Sequence, residues 1–418
     1  MGDFFVKITE YDKCTGCAAC YSVCPEKCIS MKENQEGFLY PEVNEDLCIK
    51  CGMCRKTCPV NRAHFKELSD MPETYLSRSR NESIRRCSAS GGVFTQIAKN
   101  FLSEGNSIVY GCVYGENFEV CHAAVSDTDN VEKLSRSKYV QSRIGDIYKD
   151  VRQKLLEGKR VLFSGTACQI YGLHSFLGKE YDALYCIDVV CYGVPSPKVY
   201  FKYLRWVSEK NGQIDKVVMR DKQIYKKFYR ACYAIDLKNG KKYMKLTADD
   251  PFALSFFRNL SIRRSCYECH FKTVHRISDI TIGDCWFSEN LSELEDVDGV
   301  TLTIVHSEKG KQLMESGNIE SVTVNSEKAI KANGGKIYSC AVKNPERDEF
   351  FRDIECMEFD DVVKKYLKPD KSVRMWLTNV LKNNGLIPQF LIDRKQEKEF
   401  RRRISQTIPK ESFGRMEL

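Results

Sequence analysis

Hydrophobic and polar residues follow two different periods along the chain, and each change of period marks a predicted element. Apolar residues recur every three to four positions after Gly92, which predicts an amphipathic helix that ends at Gly105. Short apolar runs predict strands, of which Ser107–Tyr114 and Arg160–Phe163 are the clearest. Strands and helices alternate from about residue 75 to 210, so we expect a mainly parallel sheet covered on both faces.

Further elements are predicted beyond this core. They are strand 74–80, helix 144–156, strand 184–190, a β-rich region 214–246 with a turn at Asn239-Gly240, helix 251–260, strand 300–305 and helix 308–314. Residues 346–418 have a helical and increasingly charged pattern. This region ends in a basic face made by Arg394, Lys395, Lys398, Arg401, Arg402 and Arg403. Such a run is usually only solvated, and docking to a membrane surface or a partner is the alternative.

The composition is typical of a cytoplasmic globular protein. A chain of 418 residues exceeds one ordinary core and predicts a small module followed by a larger domain. No run of eighteen apolar residues occurs, so no transmembrane segment is expected, and the first residues lack the order of a signal peptide. The net charge is +8, but its scattered distribution favours an acidic electron carrier or an anionic cofactor and excludes a recognisable nucleic-acid module.

Two cysteine runs occupy the first sixty residues and have the same spacing, C-x2-C-x2-C-x3-C-P. The first begins at Cys14 and the second at Cys48. Two intervening residues let successive thiolates converge on a cubane cluster, and the last cysteine of each run reaches the other cluster. The spacing predicts one [4Fe-4S] cluster held by Cys14, Cys17, Cys20 and Cys58, and a second held by Cys48, Cys51, Cys54 and Cys24. A disulfide framework and paired zinc sites are the disfavoured alternatives. Cys28 is a spare thiol.

Cysteines later in the chain predict a third metal site. Cys266 and Cys269 form a C-x2-C pair, and two thiols cannot complete a cubane. Cys168 and Cys191 each follow a predicted strand and supply the missing pair if the sheet brings those ends together. Cys285 is the rival candidate, and a disulfide or a zinc pair is the alternative to a cluster.

Two polar segments are candidate anion sites. The first consists of Ser88, Ser90, Gly91 and Gly92, which precede the amphipathic helix. Amides of a helical first turn suit a phosphate, and an ordinary helix cap is the alternative. The second, Leu134–Ser142, carries Arg136 and Lys138 as donors for a pyrophosphate or an isoalloxazine edge, with a solvated basic loop as the alternative. No G-x-G-x-x-G follows a strand and no P-loop occurs.

Short motifs in a fixed order carry a family resemblance. They are SASGGVFTQIA, SRSKYVQS, FSGTACQIYGL, DVVCYGVPSPKVY, RRSCYECHFK and DITIGDCW, between about Tyr75 and Met314. This part of the chain resembles the beta subunit of the coenzyme F420-reducing hydrogenases and dehydrogenases, and the first sixty residues resemble bacterial two-cluster ferredoxins. The resemblance implies FAD and an iron–sulfur cluster, with electrons passing between clusters and a two-electron carrier or substrate.

The resemblance also implies residue roles. Together with Ser90 of the first anion segment, the residues expected around FAD are Gly91, Gly92, Lys138, Tyr139, Gln141, Ser142, Gly165, Thr166 and Gln169. Lys138 and Arg136 are the catalytic candidates, because cations stabilise a reduced, anionic flavin. The third cluster is implied to have the ligands Cys168, Cys191, Cys266 and Cys269. The chain departs from the family at Ala167 (often proline), at Tyr192 (often histidine) and at GDCWF (usually GDFWG), which includes Cys285 and Phe287.

The expected fold class is an α+β ferredoxin-like cluster domain followed by an α/β flavin-binding domain with a mixed, mainly parallel sheet and a helical C-terminal tail. The expected bounds are 1–62 for the cluster domain, 63–73 for a linker, 74–345 for the flavin domain and 346–418 for the tail. The expected function is electron transfer between ferredoxin or a partner subunit and a two-electron acceptor, for which coenzyme F420 is one candidate. Alternatives are a stand-alone reductase of another organic substrate and a non-catalytic electron-transfer subunit. A low-oxygen cell and a homo-oligomer or larger complex fit this chemistry.

Overall fold

The structure is a computed structural model that describes residues 7–62, 71–222, 231–285, 291, 293–294 and 298–369. The basic face predicted at residues 394–403, the predicted tail beyond 369 and Phe287 lie outside the described residues. No helix within the described part of the chain is long and apolar enough to cross a membrane.

Residues 7–62 form a small α+β module, here called the head. Strands β1 (Ile29–Glu33) and β2 (Leu39–Val43) pair antiparallel, and the short helices are α1 (Ala19–Val23), α2 (Met53–Thr57) and α3 (Pro59–Arg62). Helices α1 and α2 each begin inside one cysteine run, after a residue in the left-handed conformation: Ala18 with φ 64° and Gly52 with φ 71°. The two runs therefore fold alike, as their shared spacing predicts.

Residues 71–369 form the body, which contains two sheets. Its strands are β3 (Glu73–Ser79), β4 (Ser107–Tyr114), β5 (Val120–Val125), β6 (Arg160–Thr166), β7 (Leu184–Val189), β8 (Ile214–Asp221), β9 (Cys232–Leu237), β10 (Lys242–Leu246), β11 (Ile280–Asp284), β12 (Thr301–Val305) and β13 (Ile319–Thr323). The large sheet has the order β13-β3-β12-β11-β7-β6-β4-β5. Its central strands β11, β7, β6 and β4 are parallel, and antiparallel pairs flank them. The expected mixed sheet is confirmed, with its parallel strands at the centre.

Helices cover both faces of the large sheet. The body helices are α4 (Glu82–Cys87), α5 (Val93–Ser103), α6 (Ile147–Leu156), α7 (Ala167–Leu177), α8 (Pro197–Asn211), α9 (Pro251–Phe257), α10 (Glu308–Glu315), α11 (Ser326–Ala332), α12 (Arg347–Cys356) and α13 (Phe359–Tyr366). Helix α5 packs on one face through Ile97 and Phe101, and α6 and α7 pack on the other through Val151 and Leu173. Each layer removes apolar surface from water, which is the main favourable contribution to folding.

Several elements differ from the sequence prediction. Strand β6 does not end at Phe163 but continues to Thr166, because Ser164–Thr166 pair with β7. Helix α6 begins at Ile147 instead of 144, and Ile144 joins the apolar core ahead of it. Strands β5, β11 and β13 and helices α4 and α11 were not predicted. All are short, and a strand of five or six residues carries little periodicity of its own.

The smaller sheet, β10-β9-β8, is the predicted β-rich region, and its hairpin turn lies at Asn239-Gly240 as expected. Gly240 has a φ of 78°, a conformation that glycine adopts without strain. Helices α8, α9, α12 and α13 pack around this sheet. The same apolar cluster includes Phe38 and Tyr40 of the head, and Phe38 is fully buried. The head therefore packs against the body through a shared hydrophobic core.

Candidate cluster and cofactor site

The first predicted ligand set forms a buried group of thiols, here called the inner thiol group: Cys14, Cys17, Cys20 and Cys58. These side chains line one cavity together with Ile8, Thr15 and Pro59. Burial raises the pKa of the Cys17 thiol to about 12, and the neighbouring thiols Cys58 and Cys14 contribute to the rise. Metal ions bind thiolates and displace such protons. Four thiols lining one cavity are the donor type and number that a cubane cluster needs, although no three Cys, His, Asp or Glu side chains of the described residues already stand close enough together to hold a metal ion.

The second predicted set, the outer thiol group, consists of Cys24, Cys48, Cys51 and Cys54. Burial raises the pKa of Cys54, and its neighbours Cys51, Cys48 and Cys24 add to the rise. Cys51 is exposed to solvent, near Ile49, whose side chain is 63% exposed. Cys28 lies next to this group, with its Sγ 3.3 Å from Cys24 Sγ. The outer group thus has a solvent-facing side that the inner group lacks.

The third predicted set also comes together in the body. Burial raises the pKa of Cys266 to about 12, followed by the effects of Cys191 and Cys269, and the pKa of Cys168 is likewise raised by burial and then by Cys269. Cys266 and Cys269 are free thiols, so the disulfide alternative does not describe them. The rival Cys285 lies in a separate apolar cluster with Leu76, Val274, Leu302 and Ile337. The structure therefore places the four cysteines favoured by the resemblance near one another. Cys285 lies elsewhere, in its own apolar cluster.

Cys340 joins the third group although its sequence carries no motif. The backbone N–H of Cys269 donates to Cys340 Sγ at 3.2 Å. On the other side, Lys272 Nζ donates to the carbonyl oxygen of Cys191 at 2.5 Å and to that of Lys336 at 2.7 Å. A cation is therefore held next to the thiols, as suits a site that collects negative charge.

The inner thiol group, Cys168 and the turn after β6 lie next to one another in space, in that order. A Cβ atom added at Gly172 of α7 would lie 3.1 Å from Cys17 Sγ, so the inner group presses against this helix. Cys168 stands in the first turn of the same helix, and its Sγ is 3.2 Å from Thr166 Oγ1. Cys168 thus connects the inner thiols with a residue predicted to contact flavin.

The segment 88–92 lies at the carboxyl end of β3, against the start of β12. Ser90 Oγ donates to the Val300 carbonyl at 2.8 Å, and the Gly91 N–H donates to Thr301 Oγ1 at 3.0 Å. A Cβ at Gly91 would come within 2.6 Å of the Ser77 carbonyl oxygen, which excludes any larger residue. Gly92 caps α5 with a φ of 81°, and no side chain caps this helix. The first-turn amides of α5 are therefore not satisfied by a side-chain cap.

The catalytic candidates lie beside this segment. Arg136 Nε donates to the Cys87 carbonyl at 2.7 Å, and Ser135 Oγ is 2.8 Å from Thr95 Oγ1. Lys138 Nζ donates to the Ser135 carbonyl at 2.9 Å, and burial lowers the pKa of its ammonium. These bonds join the second anion segment to the first, so the two predicted donor segments form one surface.

The turn at Ser164–Gln169, which contains three residues predicted to contact FAD, is joined to Ser142 through a buried imidazole that sequence reasoning missed. His122 Nδ1 is 2.7 Å from Ser142 Oγ, and its Nε2 is 3.0 Å from the Ser164 carbonyl oxygen. Burial lowers the pKa of His122 to about 4, so the ring is neutral at pH 7. Thr166 and Gln169 form a capping box at the start of α7. The imidazole therefore holds the carboxyl end of β6 in place, where the chain turns into α7.

Two of the predicted flavin residues make contacts elsewhere. Gln141 Nε2 donates to the Thr15 carbonyl of the head at 3.0 Å, and Gln141 Oε1 accepts from Arg263 Nη1 at 2.9 Å. Tyr139 packs against Phe256, with ring centroids 5.5 Å apart. Gln141 therefore ties the head to the body, whereas Tyr139 stays in the body next to the smaller sheet.

The end of β8 supplies buried charges that no sequence pattern pointed to. Arg220 donates to the Asp284 carboxylate and, at 3.4 Å, to the Tyr139 hydroxyl. Lys222 is 1% exposed, and its Nζ donates to the Ser90 carbonyl at 2.7 Å and to the Asp298 carbonyl. Charged residues at a strand end are usually solvated, so no local pattern indicated that these two would be buried.

Comparisons with known proteins agree with this division of the chain. Residues 158–329 match the family model that describes the C terminus of the beta subunit of coenzyme F420 hydrogenase/dehydrogenase, and residues 13–62 match a 4Fe-4S dicluster domain. A subunit of the F420H2 dehydrogenase of Methanosarcina mazei is 20% identical over 246 residues, which cover 51% of this chain and 69% of that protein.

Two further relatives cover different parts of the chain. The coenzyme F420-dependent sulfite reductase of Methanocaldococcus jannaschii is 24% identical over 337 residues, which cover 76% of this chain and 48% of that protein. The chain thus spans about half the length of that relative. A 7Fe ferredoxin of Hydrogenibacillus schlegelii is 34% identical over 67 residues, which cover 15% of this chain and 77% of that protein.

Proposed function

We propose, from the match of residues 158–329 to the coenzyme F420 hydrogenase/dehydrogenase beta-subunit model and of residues 13–62 to a 4Fe-4S dicluster domain, that the chain is an iron–sulfur flavoprotein oxidoreductase of that family. It moves electrons between ferredoxin or a partner subunit and a two-electron acceptor. Cubane clusters exchange single electrons, whereas a bound flavin exchanges one or two and transfers hydride. The protein supplies the binding residues, their order and the exclusion of water.

The observation that carries this proposal is the position of Cys168. Its helix touches Cys17 of the inner thiol group at Gly172, and its Sγ lies 3.2 Å from Thr166 Oγ1 at the end of β6. The exposed outer group, the buried inner group and the third group therefore follow one another toward the carboxyl edge of the sheet. This order supports electron entry at Cys51 and exit at the flavin segments.

The residues expected to hold FAD are suited to an anionic dinucleotide. Gly91 and Gly92 leave the first turn of α5 without a side-chain cap, which suits a phosphate. Lys138 and Arg136 stand on the adjoining segment. Because burial lowers the pKa of Lys138, its ammonium gains most from an anionic neighbour, and a reduced flavin is such a neighbour.

The acceptor that we propose first is coenzyme F420, because the names of two relatives include it. Tyr192 stands where the family often has histidine, and its hydroxyl donates to Asn259 Oδ1 at 2.7 Å. That proton is therefore engaged in the protein. A substrate that needs a protonated histidine at this position would not be reduced, which is the reason to test more than one acceptor.

Cofactor content tests the proposal directly. Protein reconstituted and purified anaerobically should carry about twelve irons and bind FAD. Replacing Cys266 and Cys269 by serine should remove about four irons and leave the signals of the head. Cys285→Ser is the matched control and should leave the iron content unchanged. A wild-type protein that neither contains nor takes up flavin would refute the proposal, whatever its iron content.

Turnover separates the candidate activities. With reduced ferredoxin as donor, the wild-type protein should reduce F420. The reaction is monitored by the loss of the visible absorbance of F420. Flavin reduction without F420 turnover, until a partner subunit is added, would identify a pure electron-transfer subunit. Turnover of another organic acceptor in place of F420 would identify a stand-alone reductase.

A further inference from the structure

Arg263 is a fully buried guanidinium whose hydrogen-bond partners are all uncharged. Its Nε donates to the Cys14 carbonyl at 2.8 Å, its Nη1 to Gln141 Oε1 at 2.9 Å and its Nη2 to the Leu39 carbonyl at 3.1 Å. The side chain is 0% exposed. Among the described residues, no carboxylate lies within ion-pair distance of it.

The other buried arginines show what is unusual here. Arg347 is also 0% exposed, and both of its terminal nitrogens bond to the Glu36 carboxylate, at 2.8 and 2.6 Å. Arg220 is paired with the Asp284 carboxylate. A buried charge is costly unless an opposite charge compensates it. In Arg347 and Arg220 the protein supplies that charge, whereas at Arg263 it supplies only dipoles.

Aromatic rings account for part of the compensation at Arg263. The guanidinium carbon lies 4.1 Å from the ring centroid of Tyr40 and 5.4 Å from that of Phe38. Such rings attract a cation through their quadrupole but carry no net charge. The net positive charge of Arg263 therefore still needs a counter-anion, and that anion must lie close to the guanidinium.

Arg263 stands between two thiol groups. Its side chain bonds to the carbonyl of Cys14, an inner thiol, and its own carbonyl accepts from the backbone N–H of Cys266, in the third group, at 3.0 Å. A cubane held by four thiolates is an anion in both of its usual redox states and gains one more negative charge on reduction.

We propose that Arg263 is the counter-ion of the inner cluster and a positioning residue that raises its reduction potential. Because the reduced cluster carries more negative charge, the cation stabilises the reduced state more than the oxidised state. The inference rests on the proposed function in one respect, which is that the inner thiol group binds a cluster.

Two substitutions separate charge from hydrogen bonding. Arg263→Gln removes the charge and keeps some donors, whereas Arg263→Lys keeps the charge and changes the bonding. Arg264→Gln is the matched control, because the neighbouring Arg264 is paired with Glu36 and Asp348. The reduction potential of each cluster is measured in the full chain by redox titration with electron paramagnetic resonance; a Cys48→Ser variant identifies the outer signal and a Cys266→Ser variant identifies that of the third group, which leaves the inner signal.

We expect Arg263→Gln to shift the inner potential to more negative values and Arg263→Lys to leave it near the wild-type value. The outer potential should not move in either variant, and Arg264→Gln should move neither potential. Failure of Arg263→Gln to assemble the inner cluster, with normal assembly in Arg263→Lys, would also support the requirement for charge.

Three results would overturn the inference. They are equal shifts in the Gln and Lys variants, no shift in the Gln variant, and failure of both variants to assemble the inner cluster, which would make Arg263 a structural anchor only. A wild-type protein without an inner cluster signal is a different failure, because it would refute the proposed function itself.

Discussion

The two thiol groups of the head have the same cysteine spacing and opposite surroundings. The inner group is buried and presses against α7, whereas Cys51 of the outer group is exposed. The glycines at matching positions make the contrast sharp. A Cβ at Gly16 would lie 2.7 Å from Gln141 Nε2, while a Cβ at Gly52 would meet nothing within 4 Å.

This difference shows that the repeat alone does not determine what each group can do. The cysteine spacing determines which thiols converge, and the body then encloses one group and leaves the other at the surface. Solvent exposure and nearby charge set the potential of a cluster. The body therefore gives two similar sets of thiols different surroundings: the outer set is exposed to solvent at Cys51, and the inner set is enclosed.

Thiol labelling of the metal-free protein should give the largest contrast. Burial raises the pKa of Cys17 from 9.0 to about 12. At pH 8 its reactive thiolate fraction is therefore about a thousandfold smaller than that of an ordinary thiol. Alkylation followed by peptide mass spectrometry should label the exposed Cys51 well before the buried Cys17, and the Cys17 rate should rise as the pH is raised. Similar rates at pH 8 would mean that the inner group is not enclosed.

Loss of the buried ion pair at the interface should have the next largest effect. Arg347→Met removes the bidentate hydrogen bonds that Arg347 donates to the Glu36 carboxylate, although Arg264 still donates to it. We expect a loss of about 3 kcal/mol in the free energy of unfolding, measured by chemical denaturation. Lys210→Met, which removes an ion pair that is 46% exposed on both sides, should cost little.

The same pair predicts a pH dependence. Burial alone would raise the pKa of Glu36, but Arg347 and Arg264 hold it below its ordinary value. A lowered carboxyl pKa contributes stability above the unfolded-state pKa, and that stability is lost as the pH falls through the folded-state pKa. Arg347→Met should therefore flatten the acid limb of the stability profile. An unchanged acid limb would show that the pair is not the cause.

Alanine at the two matched glycines tests the enclosure with a smaller effect. Both glycines have a positive φ, 68° at Gly16 and 71° at Gly52, so both substitutions share a strain of about 1–2 kcal/mol. Only Gly16→Ala adds overpacking, at about 1–3 kcal/mol, because its Cβ would also lie 2.9 Å from the Leu39 carbonyl oxygen. Equal losses in denaturation experiments would contradict the tight contact.

Removal of the spare thiol should have the smallest effect. Cys28 Sγ lies 3.3 Å from Cys24 Sγ, but Cys28 is outside the spacing of the cysteine run. Cys28→Ser should therefore leave the iron content unchanged, whereas Cys24→Ser should lose the outer cluster. A loss of about four irons in Cys28→Ser would mean that this thiol, rather than Cys24, is a ligand.

Much of the fold could be predicted from local patterns. Helix α5 and strand β4 lie where periodicity puts them, because each is determined by residues close in sequence. The cysteine spacing likewise indicated which thiols of the head lie together. The family resemblance, confirmed by the family models, pointed to the third group.

The features that sequence reasoning missed depend on distant partners. Glu36 and Arg347 are 311 residues apart, and each would be expected at the surface on its own. Arg263 and Lys222 are buried for the same reason, since contacts with the head and with the Ser90 segment remove them from water. No local pattern records that Gln141 faces the head. Such contacts appear only when the chain is folded.

The separation of Glu36 from Arg347 also has a consequence for the order of events during synthesis. At ribosomal rates the later residue emerges roughly 15 to 60 s after the earlier one. Throughout that interval the head lacks the arginine that pairs with Glu36, so the interface between head and body cannot reach its final form until α12 has been made.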